Sequence, residues 1–416
     1  MTKRALFAKA ATAAAVTAAV TATVTATVCG LLAVGTGSAE AAEDAVVIGL
    51  LDDLSGPTAD LSGKGKVVAA QMAIDDFGGS VLGKPVRLLA SDHQNKPEIA
   101  STQAREWYDR GGVDMITGMS NSAVALAVRA IARERGKVDV IAGGTADSLV
   151  GADCSPTGIL WTATAHAIAG TTASVVSETE KSWFMLTVDY SGGKSLEAAA
   201  VEVLKAKGAT VAGVARHPFN TADFSSFLLQ AQSSGAKVLA LSNTGADTLT
   251  ALKQANEFGI RESGMKIVGL YFDTTQIKAL EDAAVKGLVY TSSFYWNRDA
   301  LATAWAKRFM DQRGVLPSQS QAATYSSVLH YLKAVKAAGT TGSAKVIAEM
   351  QKIPVEDPVT GKGWIRADGR VMYDMYVMRA KARDAMTGPL DVVDLVKTVP
   401  AEEAFGPISP DCHVKS

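Results

Sequence analysis

The sequence predicts an α/β protein of two lobes, each a parallel sheet flanked by helices. Three observations carry this. Short apolar runs alternate with amphipathic segments of helical spacing from Ala45 onward, the rhythm of right-handed βαβ units. That rhythm breaks at "ILWTATAHAIAG" (159–170) and then restarts. The 416 residues, less an N-terminal leader, suit two domains.

The first set opens with "AVVIGLLD" (45–52), a run fit for a buried parallel strand. The helical "GKVVAAQMAIDDFGG" (65–79) follows. "PVRLLASD", "EIASTQAREWYDRG", "VDMITG", "SAVALAVRAIARERG" and "VDVIAG" continue the alternation to residue 143. The second set runs from "SWFMLTVD" (182–189) to "MKIVGL" (265–270). Beyond "GLVYTSSFYW" (287–296) the pattern is mainly helical, then "GKGWIRADGRVMYDMYVMRAK" (361–381) reads as a hairpin turning at "ADG". The expected division is a leader over 1–41, an N-terminal lobe of 42–163 plus 292–370, a C-terminal lobe of 164–291 plus 371–400, and a tail over 401–416. Ligands of such sheets bind at the carboxyl ends of the strands. Two facing lobes make a cleft that closes on a small molecule.

The leader has the parts of a secretory signal: Lys3, Arg4 and Lys9, a long uncharged run, and a small-x-small site at Ala39 and Ala41. It places the mature start at Ala42 and the protein in the periplasm or outside the cell. An uncleaved anchor is the alternative. A lipoprotein at Cys29 is disfavoured because Val28, not a small residue, precedes it. The chain carries 41 basic and 42 acidic residues, and residues 42–416 carry a net charge of −3. That balance gives no electrostatic case for nucleic acid.

"VDYSGGKS" (188–195) ends like a phosphate-binding loop, G-x-x-x-x-G-K-[ST]. Val188 stands where the first glycine must bend the backbone. Export also argues against ATP, and the stretch reads as a strand-to-helix turn with Lys194 solvated. "GMSNS" (118–122) misses the hydrolase elbow G-x-S-x-G by its last glycine. Neither His330, mid-helix, nor His413, in the tail, sits where a catalytic histidine should. The five histidines form no metal motif. No enzyme activity, metal or cofactor is expected. Cys154 and Cys412 remain after cleavage, and in an oxidising compartment such a pair usually joins. Two unpaired thiols are the alternative.

These segments resemble a known family. "IGLLDDLSGPTADLSGKGKVVAAQMAIDDFGG", "LLASDHQNKPEIASTQAREW", "GVDMITGMSNSAVALAV" and "FSSFLLQAQSSGAKVLALS" are similar to the extracytoplasmic solute-binding proteins of ABC importers, in the branch of the leucine/isoleucine/valine-binding proteins. "DCSPTGILWT", "SSFYWN", "YSSVLHYLKAVKAAGT" and "GRVMYDMYVMRAK" resemble a subgroup associated with uptake of aromatic or other organic acids. The resemblance implies the type 1 periplasmic binding protein fold: two Rossmann-like lobes joined by a multi-crossover hinge. It implies a monomer without cofactor, a small carboxylate ligand, and an ABC permease with its ATPase subunits as partners. It also implies a Cys154–Cys412 disulfide.

The resemblance places the ligand carboxylate at Ser122, with Asn121 beside it, and at Gly143, Gly144 and Thr145. A helix starting at Ser122 would offer free amides and its dipole to an anion, although Ser and Thr there also suit plain capping. The amino-acid grip of the family is largely missing. Gly192 stands where an aromatic is expected, with Tyr190 as a substitute two residues earlier. Tyr271 stands where an acid holds the ammonium, followed by Asp273, and Thr244 where a second tyrosine is expected. Tyr295, in "FYW" (294–296), either walls an aromatic ligand or packs between the lobes. Asp52 and Asp53 either line the cleft or order a turn. The expected ligand is a small carboxylate, an aromatic or other organic acid without an amine, with a branched-chain amino acid as the less favoured alternative. A ligand sensor is the rival to import, since the same fold serves both.

Overall fold

The structure, a computed structural model, describes residues 45–414 except Pro57 and Pro389. The leader, its cleavage site and Cys29 lie outside the described residues.

Strands β1 (Val46–Asp52), β2 (Ser80–Val81), β3 (Lys84–Asp92), β4 (Met115–Gly118), β5 (Val138–Ile141) and β6 (Gly158–Leu160) form one sheet, ordered β2-β3-β1-β4-β5-β6. All pairs are parallel except the short β2–β3 hairpin at the edge. Helices α1 (Gly63–Phe77), α2 (Pro97–Asp109) and α3 (Ser122–Arg135) make the crossovers. β1 is buried on both faces, as a central parallel strand must be. Its alternate residues serve two cores. Val46 and Ile48 pack with Ala69, Ala70 and Ala73 of α1, whereas Val47 and Leu51 pack with Trp107, Tyr108, Val124 and Val128 of α2 and α3.

The chain leaves the first sheet through a π-helical turn, His166–Gly170, and α4 (Thr171–Val176). The second sheet repeats the first. It takes β7 (Ser182–Val188), β8 (Thr210–His217), β9 (Val238–Ser242), β10 (Lys266–Gly269) and β11 (Val289–Ser292), all parallel in the order β8-β7-β9-β10-β11. Helices α5 (Ser191–Ala206), α6 (Ser225–Ser233), α7 (Gly245–Glu257) and the short α8 (Asp282–Val285) cover it.

Helices α9 (Ala300–Arg313), α10 (Gln319–Ala338) and α11 (Ser343–Lys352) follow, then a small antiparallel sheet of β12 (Val355–Asp357), β13 (Gly361–Ile365) and β14 (Val371–Met372). α10 packs back on the first sheet. Its capping serine Ser318 donates to Leu61 O at 2.5 Å, and Gln321 donates to Ser62 O at 3.1 Å. The expected hairpin is real but short. It turns at Gly369, whose φ of 79° favours glycine, and ends at Met372. The next strand, β15 (Met375–Ala380), leaves it to pair with β11 in the second sheet. β16 (Val393–Val399), which the sequence pattern left unassigned, adds the sheet's last strand. After α12 (Ala401–Phe405), Cys412 joins Cys154 in a disulfide spanning 258 residues.

Candidate functional site

Strand order reverses between β1 and β4 in the first sheet and between β7 and β9 in the second. At such switch points the loops leave the strands in opposite directions and open a crevice at the carboxyl ends. One cavity of about 560 Å³, including the part open to solvent, lies where both switch points meet. The first sheet contributes Asn95, Ser120, Asn121, Ser122, Gly143 and Thr145. The second contributes Tyr190, Phe219, Thr244 and Tyr271, and Ser320 of α10 adds to the wall.

On the first-sheet side, Met119 adopts a φ of 64° as the chain turns off β4. Asn121 then caps α3: its Oδ1 accepts from the amides of Ala123 (2.7 Å) and Val124 (3.3 Å), while its Nδ2 donates to Asn95 Oδ1 (2.8 Å). Ser122 Oγ accepts from the Thr145 amide at 3.1 Å, which leaves the Ser122 proton free to donate. Gly143 must lack a side chain, since a Cβ there would lie 2.5 Å from Ser120 Cα. Gly144 does not line the cavity. It makes room for Ala125, 2.7 Å from where its Cβ would be.

Beneath this wall lies a buried charge cluster. Lys66 donates to Asp52 Oδ2 (2.6 Å), Ser120 Oγ (2.8 Å) and Ala142 O (2.9 Å). Burial pulls the Lys66 ammonium below its usual range, and Asp52 opposes that pull. His93 is also held down by burial. Its Nδ1 accepts from the Asn95 amide, which assigns the proton to Nε2, 3.9 Å from Asp52. Asp53 only orders its turn, accepting from Gly56 N, Thr58 N and Thr58 Oγ1. Thus neither Asp52 nor Asp53 lines the cavity.

On the second-sheet side, Tyr190 packs edge-on to Phe219 at 5.4 Å. Its hydroxyl lies 2.6 Å from where a Cβ at Gly192 would be, so the Tyr190 ring fills the space a side chain at 192 would take. Gly193 is demanded by packing, as a Cβ there would meet Val188 O at 2.3 Å. Lys194 pairs with Asp189 at 2.7 Å, both about half exposed, which accounts for the phosphate-loop resemblance. Burial pushes the Tyr190 phenol up to about 12 and raises the Tyr271 phenol as well. Both are neutral donors at physiological pH. Tyr190 and Thr244 give no side-chain cap to α5 and α7. Both N-cap residues line the cavity, so the positive dipole ends of those helices lie beside the cleft.

Besides Gly144, two candidate residues stand away from the cavity lining. Asp273 is buried and caps two helical segments. Its Oδ1 accepts from Thr275 N (3.1 Å) and its Oδ2 from Gln319 N (2.8 Å). Tyr295 packs against Trp296 (6.3 Å) and Tyr376 (5.9 Å), and Phe294 against Trp305 (5.6 Å). Neither Asp273 nor Tyr295 is among the residues lining the cavity, and no charged side chain is, among the described residues. His330 is buried in α10 with Nε2 on Met350 O (2.9 Å), remote from an elbow role at 118–122.

Several residues of the site, Lys66 behind the wall among them, are not singled out by the sequence pattern. Asn95 and Phe219 follow the second strand of each set, so the strand-end rule reaches them. Ser120 is the middle residue of "GMSNS", where the pattern points only to a nucleophile. Lys66 shares a helical face with Ala69, Ala70 and Ala73, and a charge on an apolar face was the available signal.

Two parallel sheets of matching strand order, meeting carboxyl end to carboxyl end around an uncharged cleft, define a binding protein of the two-lobed kind. The chain belongs to the periplasmic binding proteins, whose family model matches residues 45–385. Its relatives are ABC-transporter binding proteins of the leucine/isoleucine/valine-binding type, and its fold is the type 1 periplasmic binding protein fold. A periplasmic binding protein from Burkholderia mallei is 44% identical, with a TM-score of 0.85 over 90% of this chain and 100% of that one. A branched-chain amino acid ABC transporter periplasmic ligand-binding protein from Burkholderia xenovorans LB400 is 39% identical, with a TM-score of 0.79 over 87% and 97%. An ABC-transporter solute-binding protein from Rhodopseudomonas palustris BisB5, solved with 3,4-dihydroxybenzoic acid, shares the fold at 20% identity, with a TM-score of 0.79 over 86% and 98%. No curated protein sequence matches significantly. Among the described residues no helix is long and apolar enough to cross a membrane.

Proposed function

We propose that this protein is the extracytoplasmic substrate-binding component of an ABC importer, closing two lobes on a small organic acid that lacks an amine. It acts as a monomer, does no chemistry on the ligand, and presents the closed form to a permease and its ATPase subunits. Binding energy drives closure, because the ligand contacts both walls only when they approach.

The observation that supports this ligand class is the character of the cleft. A carboxylate finds neutral donors in the hydroxyls of Ser122, Thr145, Tyr190 and Tyr271, beside the positive end of the α3 dipole. An ammonium finds no partner, because Asp273 spends its carboxylate on two helix starts. Burying an ammonium without a counter-charge is costly. Tyr190 and Phe219 supply aromatic faces suited to a ring. The fold relative solved with 3,4-dihydroxybenzoic acid is in keeping with such a ligand.

The test is a thermal-shift panel of benzoate and cinnamate derivatives, dicarboxylates, short amides, urea and branched-chain amino acids, with ATP as control. A ligand at about 100 times its Kd stabilises by about 2.7 kcal/mol, a shift of several degrees. Shifts with amine-free acids are expected. A shift with leucine alone, abolished by Asp273→Ala, would sink the amine-free reading.

A further inference from the structure

Lys66 and Ser120 form a device that the cleft's own lining does not explain. Lys66 is fully buried, one residue layer behind the wall, at the point where β1, β4 and β5 end. Two of its three neighbours, the Asp52 carboxylate and the Ala142 carbonyl, can only accept. A buried carboxylate needs a compensating cation, so Lys66 stands as the ammonium, with its third N–H directed at Ser120 Oγ at 2.8 Å. Gly143 makes this possible, since a Cβ there would sit 2.9 Å from Lys66 Nζ.

The consequence falls on Ser120. A hydroxyl oxygen that accepts from an ammonium must turn its one proton elsewhere. Ser120 lines the cavity, is half-buried, and has no protein acceptor for that proton among the described residues. We propose that Lys66 is a positioning residue that commits the Ser120 hydroxyl as a donor into the cleft, and that Ser120 thereby selects an ionised carboxylate over its neutral isostere. Asp52 keeps Lys66 charged, so the pair serves as a polarised donor and not as a serine nucleophile with a lysine base. The inference rests on the carboxylate reading above and adds the residues that enforce it.

The experiment measures Kd by calorimetry for 4-hydroxybenzoate and for 4-hydroxybenzamide, and reads their ratio. The proteins are wild type, Ser120→Ala, the paired Lys66→Met/Asp52→Asn, which strands no buried charge, and the triple variant. Urea unfolding checks that each is folded. A purely structural role would weaken acid and amide alike and leave the ratio unmoved. The expected result is a wild-type preference for the acid that falls about 10-fold in Ser120→Ala, the size of a charge-assisted hydrogen bond. The paired variant should lose a similar factor, and adding Ser120→Ala to it should change the ratio less than about 3-fold. An unchanged ratio in Ser120→Ala, or in the paired variant, overturns the proposal. So does Ser120-dependent release of nitrophenol from p-nitrophenyl acetate. If wild type binds leucine and not the acid, the amine-free reading falls, and the same ratio taken with leucine and leucinamide decides the role of Lys66. If it binds none of these, both readings fall.

Discussion

The Asp273 carboxylate accepts the first amide of α10 from Gln319 at 2.8 Å, linking the loop after β10 to a helix packed on the first sheet. The same carboxylate caps the 3₁₀ turn Thr274–Ala279, and Gln276 Oε1 in return accepts from the Asp273 amide at 3.1 Å. One side chain thus joins the two halves of the molecule, with both carboxylate oxygens engaged.

Burial raises the Asp273 carboxyl from 3.8 to about 6, against the backbone amides that lower it. A carboxyl raised on folding retains its proton in the native state while the unfolded chain has lost it. Its contribution to stability is therefore full below about pH 4 and is lost as pH climbs through about 6. Asp273→Asn should erase that part of the pH profile. Any cost of the substitution should be smaller at pH 7 than at pH 4, because the neutral amide is spared the burial penalty that the ionised carboxylate bears. Urea unfolding of both proteins from pH 4 to 7 gives the comparison, and parallel profiles would refute the assignment.

Arg129 is buried with each of its three nitrogens donating once, to Asp139 (2.9 Å), Leu149 O (2.6 Å) and Ile159 O (3.0 Å). Gly158 leaves it room, since a Cβ there would lie 2.8 Å from the guanidinium. Arg129→Met strands Asp139, whose carboxyl burial already pushes up. The expected loss is about 3–5 kcal/mol, read as a lowered urea midpoint with an unchanged slope. A loss under about 1 kcal/mol would mean that Asp139 is neutral in the native state.

The Cys154–Cys412 bridge closes a loop of 258 residues and holds the tail to the first sheet. Its removal in Cys154→Ser/Cys412→Ser should cost about 5–6 kcal/mol by the loop-entropy relation. Thermal melts with and without reductant should show the same fall in wild type and none in the variant. Non-reduced peptide mapping would show Cys154 and Cys412 in one linked peptide.

Tyr190 and Gly192 share one space. Gly192→Ala should therefore displace the Tyr190 ring and weaken ligand binding as Tyr190→Ala does, by about 10-fold for a lost aromatic contact. In the double variant the two losses should not add. Additive losses, measured by calorimetry with whichever acid of the panel shifts the melt most, would place the two residues in separate roles.

The sequence by itself determined what is local and periodic. Alternating runs at 45–143 and 182–270 specify strands and helices because each face must find a core, and two such sets specify two sheets. Asn121 and Ser122 at the end of an apolar run specify a helix start. The tertiary structure decided everything that depends on competition between distant partners. Asp273, two residues beyond the cavity-lining Tyr271, is engaged by two helix starts, one of them 46 residues on, whose amides need an acceptor. Tyr295 joined the aromatic packing of Trp296 and Tyr376 because β15 returns beside β11, a pairing that no local pattern encodes. Phe219 and Ser120 became cleft residues only when two switch points faced each other. Lys66, spaced like any core position of α1, became part of the site because β1, β4 and β5 end together around it. Hydrophobic period is a property of neighbours in the chain, whereas the direction of a polar side chain is settled by which buried partner it must satisfy.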